Sequence, residues 1–498
     1  MTSPTMQSSD ITEYLKLDAV DISDLINRGK LSAEHAMQCA TQLAQLYDEH
    51  FGLLCHPHIQ TALHQARQGC PQTRFAGVPF LLKDSGLASQ RLPSSIGSRL
   101  FSNTEYAQDS TLANRIERAG LIPFARTRVS ELCMAPTTEA LCYGTPTRNP
   151  WDPTRSAGGS SGGAGAAVAL GLVPMAHGSD GGGSVRIPAA CCGVFGFKPS
   201  RGLLPVGPHK GESLGGMATD GILSSTVRDS AAFVDAVCGY EPGGPYASPV
   251  NQRSLSDSIL PNKGHGRLRI GVWSKAWNAL PIAPECLEAV HASATLCQAL
   301  GHEVFDLPLA SFDYEQFTHA HATMLATAIA RSVDAKLSQL GRSLQEDDLE
   351  PAIAHGYRIG KNVSALSYAA AVDCFHAVGR AIEQSMVHCD LILSPALMSL
   401  PVKLGTLIPT GPFPEFRRRV SEYTTFLAII NASGQPAASL PLHQTIDKIP
   451  VATQLIGHFG QDDVVMRLAA ELERAAPWFP RLHQFRIETY RAMSKIAP

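Results

Sequence analysis

Residues 156–202 read SAGGSSGGAGAAVALGLVPMAHGSDGGGSVRIPAACCGVFGFKPSRG, and this stretch differs in composition from the rest of the chain. Glycine and serine cluster at 158–163 and again at 178–184, with an alanine-rich, helix-like segment and an apolar VPMA stretch between the clusters. Consecutive glycines allow a backbone to point several N–H groups into one concavity. Ser184 closes the second run, so its hydroxyl is placed beside a potential anion site. An isolated GGGS would indicate only a tight turn, so the rest of the chain decides its meaning.

The first cluster, 158–163, has three interpretations. A flexible linker would have polar flanks, but this cluster runs into the apolar AAVALGL. A phosphate loop would have lysine and then serine or threonine after the glycines, and GAGAAV has neither. A nucleophile elbow matches G-x-S-x-G with its serine at Ser160, but that motif directly follows a hydrophobic strand. Here NPWDPTRSA precedes the cluster, so the elbow match is weak.

Helix-like and strand-like segments alternate over the rest of the chain. FAGVPFLLKD (75–84) is typical of a short buried strand that leads into a turn, and Ser110 and Asp109 are candidate caps for a helix that ends at Gly120. Further strands are predicted at 267–273 and 390–397, and further helices at 286–301 and 462–475. This alternation predicts an α/β fold with a largely buried sheet. The segment 242–254 is the weakest candidate for a domain boundary and is better interpreted as a surface loop.

The composition excludes several classes of protein. The chain has 498 residues and a net charge of −3, without a run of five like charges, so no long-range field attracts nucleic acid or anionic lipid. Charged residues make up 17%, below the ~25% usual for globular chains, which indicates a large interior. The N-terminus lacks the pattern of a secretory signal, and the small-and-apolar stretch 163–176 is too short to span a bilayer. We therefore expect a cytoplasmic protein without a membrane or nucleic-acid partner.

The twelve cysteines do not form a disulfide or zinc pattern. Cys191 and Cys192 are adjacent, the others are scattered, and no C-x-x-C pair occurs, so free thiols are expected. The pairs His56-x-His58 and His319-x-His321 could suggest a metal, but neither has an acidic or cysteine partner at metal-ligand spacing. We therefore predict no metal and no other cofactor.

The two glycine-serine clusters and the upstream lysine strand occur together and in order. GGSSGGAGAAVALGLVPMAHGSDGGGSVRIPAACCGVFGFKPSRG resembles the amidase signature closely, and FAGVPFLLKD resembles the lysine strand of the same family. TRNPWDPTRSAGG (147–159) and NASGQPAASLPL (431–442) resemble further family blocks. The resemblance implies a large central mixed β-sheet flanked by helices on both faces. It also implies a single amidase domain over 1–498, with a signature core at about 75–205 and a C-terminal block at about 425–480 that completes the fold.

The resemblance implies a role for each motif residue. The family's catalytic lysine corresponds to Lys83, its bridging serine to Ser160 and its nucleophile to Ser184, with a cis peptide bond at Gly159–Ser160. The implied chemistry is hydrolysis of a carbon–nitrogen bond through an acyl-enzyme on Ser184, because a serine needs a base and a desolvated lysine can be that base. The remaining implied site residues are the oxyanion loop Gly181, Gly182 and Gly183 with the amide of Ser184, and an ion pair of Asp180 with Arg186 that shapes the loop.

Three positions bear on the substrate. Cys133 corresponds to a family position that lines the acyl pocket, although a buried core cysteine is nearly as good an interpretation. Ile187 follows the loop arginine, and Leu325 takes a substrate-proximal place before the block ATAIAR. None of the three can pair with a buried charge, so a neutral, apolar small-molecule amide is expected, such as an acyl amide, an anilide, or a related carbamate or lactam.

The chain looks similar to stand-alone bacterial amidases of the kind of 6-aminohexanoate-cyclic-dimer hydrolase and aryl acylamidases. The A subunits of glutamine-dependent aminoacyl-tRNA amidotransferases are the alternative. Those subunits usually carry glutamine at the position of Ile187 and a paired Arg-Arg further on, and YRIGKNVSALSYAAAV (357–372) has no such pair. A homodimer is the candidate assembly, and the natural substrate, pocket size and oligomeric state stay open.

Overall fold

The computed structural model describes residues 8–69, 72–246, 254–261 and 266–495. Within these ranges the chain forms seventeen α-helices and eleven β-strands. The helices, in chain order, are α1 (Ser8–Tyr14), α2 (Ala19–Asn27), α3 (Ala33–Phe51), α4 (Ile59–Arg67), α5 (Thr111–Arg118), α6 (Gly162–Ala169), α7 (Arg186–Cys192), α8 (Val227–Val237), α9 (Leu255–Ser258), α10 (Pro284–Ala299), α11 (Tyr314–Leu340), α12 (Pro351–Gly360), α13 (Ala365–Ser385), α14 (Phe413–Tyr423), α15 (Ala428–Ser433), α16 (Asp462–Ala475) and α17 (Phe479–Met493). The strands are β1 (Leu54–Cys55), β2 (Pro79–Lys83), β3 (Ile122–Thr127), β4 (Met175–Asp180), β5 (Phe195–Lys198), β6 (Thr219–Ser224), β7 (Arg269–Val272), β8 (Glu303–Asp306), β9 (Leu391–Pro395), β10 (Ala437–Gln444) and β11 (Pro450–Gly457).

The main sheet has eight strands in the order β4-β6-β5-β10-β11-β9-β7-β8. The pairs from β4 through β9 are antiparallel, whereas β9, β7 and β8 are parallel, so the sheet is mixed and the predicted α/β class is confirmed. Ala437 of β10 lies opposite Lys198 of β5. This register joins the C-terminal block directly to the signature core, although the two blocks are far apart in the sequence.

A second sheet of three strands, in the order β1-β3-β2, holds the lysine strand. β2 is parallel to β3, with Lys83 opposite Thr127, and all five residues of β2 are buried. The sequence pattern predicted the strand, but it did not indicate that the strand belongs to a small separate sheet, because strand pairing depends on residues distant in the chain.

The elements predicted from local patterns are confirmed. Ser110 caps α5 by accepting a hydrogen bond from the Ala113 N–H at 3.1 Å, and α16 has the predicted bounds. All residues of α6 are buried, as expected for a helix that is apolar on every side. A Cβ atom on Gly163 of α6 would lie 2.6 Å from the Leu53 carbonyl oxygen, so only glycine fits there.

The structure also bears on the predictions for the cysteines and for the surface loop at 242–254. All cysteines in the described part of the chain are free thiols, as predicted, and Cys70 lies outside it. Of the predicted surface loop at 242–254, residues 247–253 lie outside the described ranges, as do residues 1–7 and 496–498 at the ends of the predicted single domain. No helix of the described chain combines the length and the apolar character needed to cross a bilayer.

Candidate active site

Three of the residues singled out in the sequence line one cavity of about 230 Å³. Lys83 ends β2, Ser160 stands two residues before α6, and Ser184 lies in the loop between β4 and α7. Separate elements therefore bring the three side chains together. Lys83 and Ser160 are fully buried, whereas Ser184 is partly exposed. The chain before Ser160 is irregular and not a strand, so the nucleophile elbow does not describe this serine.

The Lys83 amine has three hydrogen-bond partners, none of which is charged. Its Nζ donates to Ser160 Oγ at 2.8 Å, to Ser179 Oγ at 2.9 Å and to the Ser179 carbonyl oxygen at 2.9 Å. Burial lowers the pKa of Lys83 below its ordinary value of 10.5, against the opposing effect of Cys133 and nearby carboxylates. The amine is therefore shifted toward the neutral form that a general base requires.

A histidine fixes the backbone that carries Lys83. The Lys83 N–H donates to His177 Nδ1 at 3.2 Å, and His177 Nε2 donates to Asp220 Oδ1 at 3.0 Å. His177 lies in β4 and Asp220 in β6, so the main sheet holds the end of β2 in place. Because this contact joins the two sheets, it was not visible in the sequence.

The peptide bond between Gly159 and Ser160 is cis, the isomer that the family resemblance implies. A Cβ atom on Gly159 would lie 2.6 Å from the Thr137 carbonyl oxygen, so glycine is required at this close approach. The Ser161 N–H donates to the Ser184 carbonyl oxygen at 3.2 Å, which joins the two serine loops through their backbones. Among the described side chains no hydrogen bond joins Ser160 to Ser184.

A fully buried ion pair organises the loop that carries Ser184. Arg186 Nη2 lies 2.8 Å from Asp180 Oδ1, and Arg186 Nε lies 3.0 Å from Asp180 Oδ2, which confirms the pair predicted from the sequence. Arg186 also donates to Gln454 Oε1 at 2.7 Å and to Asn431 Oδ1 at 2.6 Å. Burial alone would raise the pKa of Asp180, but Arg186 outweighs that effect and holds the pKa well below its usual range.

The backbone N–H groups of the glycine loop differ in whether they have a hydrogen-bond acceptor within the described part of the protein. The Gly183 N–H donates to Asp180 Oδ1 at 2.7 Å, so it is committed within the protein. No acceptor within the described residues takes the N–H groups of Gly181, Gly182 or Ser184. Gly183, one of the predicted oxyanion donors, thus has its N–H bonded to Asp180, whereas the N–H groups of Gly181, Gly182 and Ser184 have no such partner among the described residues.

Apolar side chains form much of the cavity wall, as expected. Ile187, Leu325 and Cys133 all line the cavity, which favours the pocket interpretation of Cys133 over that of a distant core cysteine. Burial raises the pKa of the Cys133 thiol. The positive φ angles of Leu132 and Cys133, 48° and 60°, turn the chain sharply at this point.

The wall also contains charged groups that no sequence motif indicated. Arg417 of α14 lines the cavity and donates to the Met134 carbonyl oxygen at 2.8 Å. Exposed or half-exposed Lys210, Glu212 and Arg331 line its outer part. The three apolar positions considered in the sequence did not indicate these charged groups, because a helix or loop pattern does not show which polar residues face a cavity.

The histidine pairs have different surroundings. His319 is exposed, whereas His321 is buried and lines the cavity. The fold brings Cys55 and Asp84 to His56, with ligand atoms within 4.8 Å of one another, so the sequence argument that His56 lacks such partners was wrong. Burial alone would raise the pKa of Asp84, but Arg126, Ser94 and Ser95 lower it overall. The charge of this carboxylate is thus already compensated by the protein, and we assign the group a structural role.

A serine beside free backbone donors, with a desolvated lysine in the same cavity, has the composition of a serine hydrolase site that uses a lysine base. The Amidase family model matches residues 38–466. The chain belongs to the amidase family, whose members are known as amidase signature enzymes, and it is a hydrolase of carbon–nitrogen bonds.

Individual relatives agree with this assignment. The chain is 33% identical over 479 residues to 6-aminohexanoate-cyclic-dimer hydrolase of Paenarthrobacter ureafaciens, covering 94% of this chain and 96% of that protein. A solved structure of a 6-aminohexanoate cyclic dimer hydrolase complexed with substrate matches with a TM-score of 0.89 and 32% identity, over 95% of this chain and 99% of that one. A bacterial aryl acylamidase matches with a TM-score of 0.84 and 26% identity, over 95% of this chain and 98% of that one.

Proposed function

We propose that the protein is a stand-alone amidase that hydrolyses neutral amides through an acyl-enzyme on Ser184, with Ser160 and Lys83 as its proton relay. The observation that carries this proposal is the 2.8 Å hydrogen bond from Lys83 Nζ to Ser160 Oγ in the cavity that also contains Ser184. A buried lysine whose hydrogen-bond partners are serine oxygens is suited to exchange a proton, because no carboxylate fixes its charge.

The reaction follows from this arrangement. Ser184 Oγ attacks the carbonyl carbon, Ser160 accepts the Ser184 proton, and Ser160 passes its own proton to neutral Lys83. The free N–H groups of Gly181, Gly182 and Ser184 stabilise the oxyanion that develops. The protons then move in the reverse direction to the leaving nitrogen, the amine departs, and water releases the acid from Ser184 by the same route.

The wall around the reacting group favours apolar substrates. Ile187 and Leu325 are 2% and 4% exposed, and such surfaces bind by burial of apolar area, at about 25 cal/mol per Å². The two relatives named above act on a cyclic amide and on an aryl amide, according to their names. We propose acyl amides, anilides and related carbamates or lactams as substrates, with Cys133 as a substrate contact.

A substrate panel tests this function. The purified chain is assayed alone on neutral acyl amides, anilides, matched esters and free glutamine. We expect kcat/KM for a neutral anilide to exceed that for glutamine by at least ~100-fold, a difference of ~2.7 kcal/mol in transition-state binding. The Ser184→Ala variant should lose turnover and labelling by a fluorophosphonate, while Ser213→Ala, at a partly exposed serine of the same cavity, should keep both.

Two outcomes would contradict the proposal. A fluorophosphonate adduct on Ser160 in place of Ser184 would reverse the roles of the two serines. Efficient release of ammonia from glutamine would favour the alternative, the A subunit of a glutamine-dependent aminoacyl-tRNA amidotransferase. A cytoplasmic location and a homodimeric assembly stay predictions.

A further inference from the structure

His321 occupies the wall of the active-site cavity next to the glycine loop. It lies on α11, four residues before Leu325, so both side chains project from the same face of the helix. A Cβ atom built on Gly182 would lie 3.4 Å from His321 Cε1 and 3.7 Å from His321 Nε2. The imidazole edge therefore faces the loop two residues before Ser184.

The protein holds the His321 ring but does not satisfy its polar atoms. The ring stacks on Phe317, with centroids 5.9 Å apart and an interplanar angle of 20°. His321 is only 7% exposed, yet no hydrogen bond to either ring nitrogen is formed by the residues that the structure describes. The ring nitrogens are not among the polar atoms that are sealed from solvent without a partner, so the imidazole edge is accessible at the cavity wall and can hydrogen-bond a ligand there.

The electrostatic surroundings set the charge of this ring. Burial, and then Arg417, lower the pKa of His321 to about 3. The imidazole is therefore neutral at working pH and has one N–H donor. A neutral imidazole beside the loop can polarise a carbonyl group through its N–H. Because the ring is neutral, it does not place a second buried positive charge near Arg417.

We propose that His321 is a further catalytic residue of this site, whose Nε2–H donates a hydrogen bond to the oxygen of the reacting carbonyl group beside the amides of Gly182 and Ser184. This inference rests on the proposed serine mechanism.

Substitutions of His321 in the full chain test the inference on a neutral anilide and on the matching trifluoromethyl ketone, whose adduct with Ser184 carries an oxyanion. His321→Phe keeps a ring that stacks on Phe317 but removes the donor. We expect kcat to fall by about 10- to 100-fold with a small change in KM, and ketone affinity to fall by a similar factor. His321→Gln, which retains an N–H donor, should recover part of the loss.

Controls separate this role from a structural one. His319→Phe changes an exposed histidine on the same helix and should leave kcat unchanged. If His321→Phe does not fold, His321→Gln and His321→Asn decide, since the shorter Asn side chain does not reach the oxyanion. Equal kcat and equal ketone affinity in those variants and in the unsubstituted protein would overturn the inference, whatever their melting temperatures. Retained activity in Ser184→Ala would instead overturn the serine mechanism itself.

Discussion

Two buried charged sites beside the glycine loop differ in the partners of their side chains. On one side, Lys83 is fully buried with two serines as its hydrogen-bond partners, and its pKa is lowered. On the other side, Asp180 and Arg186 are equally buried but face each other at 2.8 Å, and the pKa of Asp180 is held well below its usual range. Burial is the same in both regions, so the charge of the partner determines the outcome.

This contrast has a functional meaning. No charged group is hydrogen-bonded to Lys83, so desolvation outweighs the opposing effect of Cys133 and the nearby carboxylates, and the lysine is made ready to change its protonation state. A charged partner fixes both charges, and the fixed pair then holds the loop through the Gly183 and Val185 N–H groups that donate to Asp180. One region is thus suited to transfer protons, and the other to keep the donors of the loop in position.

The largest effect is expected from Lys83→Met. Loss of the base should lower kcat/KM for an amide by about 10³- to 10⁵-fold, while the protein stays folded because no buried charge is left unpaired. Lys198→Met is the matched control, since burial also lowers the pKa of Lys198, to about 7, at a position outside the cavity. Steady-state kinetics and thermal unfolding of both variants are the measurement. Similar kinetic losses in both variants would show that the loss does not come from a missing base at Lys83.

Asp180→Asn is expected to lower the stability of the protein, in contrast to Lys83→Met, which is expected to lower the rate while the protein stays folded. This substitution leaves the Arg186 guanidinium buried without its counter-ion, which typically costs about 3–5 kcal/mol in the free energy of unfolding. Replacing both partners by apolar residues, as in Asp180→Leu with Arg186→Met, should destabilise less than the single change. The control Asp334→Asn breaks an exposed pair with Lys361 and should leave stability almost unchanged. Chemical denaturation measures all three, and a double variant no more stable than Asp180→Asn would contradict the account.

Ser160→Ala tests the link between the lysine and the nucleophile. An amine leaving group must be protonated and an alkoxide less so, so the loss should be at least ~10-fold greater on an amide than on its matched ester. Combined with Lys83→Met, it should add little further loss, because the relay acts as a unit. Ser161→Ala, at the neighbouring buried serine, is the control. Equal losses on the amide and the ester would exclude proton transfer through Ser160.

The sequence predicted which residues meet in one cavity better than it predicted their surroundings. The motifs taken together and in order resemble the family, and this resemblance indicated Lys83, Ser160 and Ser184. The sequence did not indicate Ser179, although this residue lies within the signature. Its contact with Lys83 depends on the docking of β2 against β4. The commitment of the Gly183 N–H to Asp180 was also invisible, because it depends on the conformation of the loop.

The fold shows the same limit. Caps and apolar patterns predicted α5 and α16 closely, but no local signal placed β2 in a separate sheet. His321 was noticed only as half of a histidine pair. The spacing of four residues between His321 and Leu325 would have been the better signal, since Leu325 was already expected near the substrate and both residues share a helix face.

The smallest effect is the dependence on pH, which separates the two regions within one experiment. Because Lys83 acts when neutral and its pKa is lowered, kcat/KM should rise about tenfold per pH unit up to that pKa and then level off. The Asp180 carboxylate has a lowered pKa, so its stabilisation is fully present above the unfolded value near ~3.9 and is lost only as pH falls through the folded pKa. The stability difference between the unsubstituted protein and Asp180→Asn should therefore stay constant from about pH 5 to 9, while the rate changes. The Lys198→Met variant should show the same rise of kcat/KM with pH as the unsubstituted protein. If kcat/KM levels off at a different pH in this variant, the titrating group is Lys198 and not Lys83.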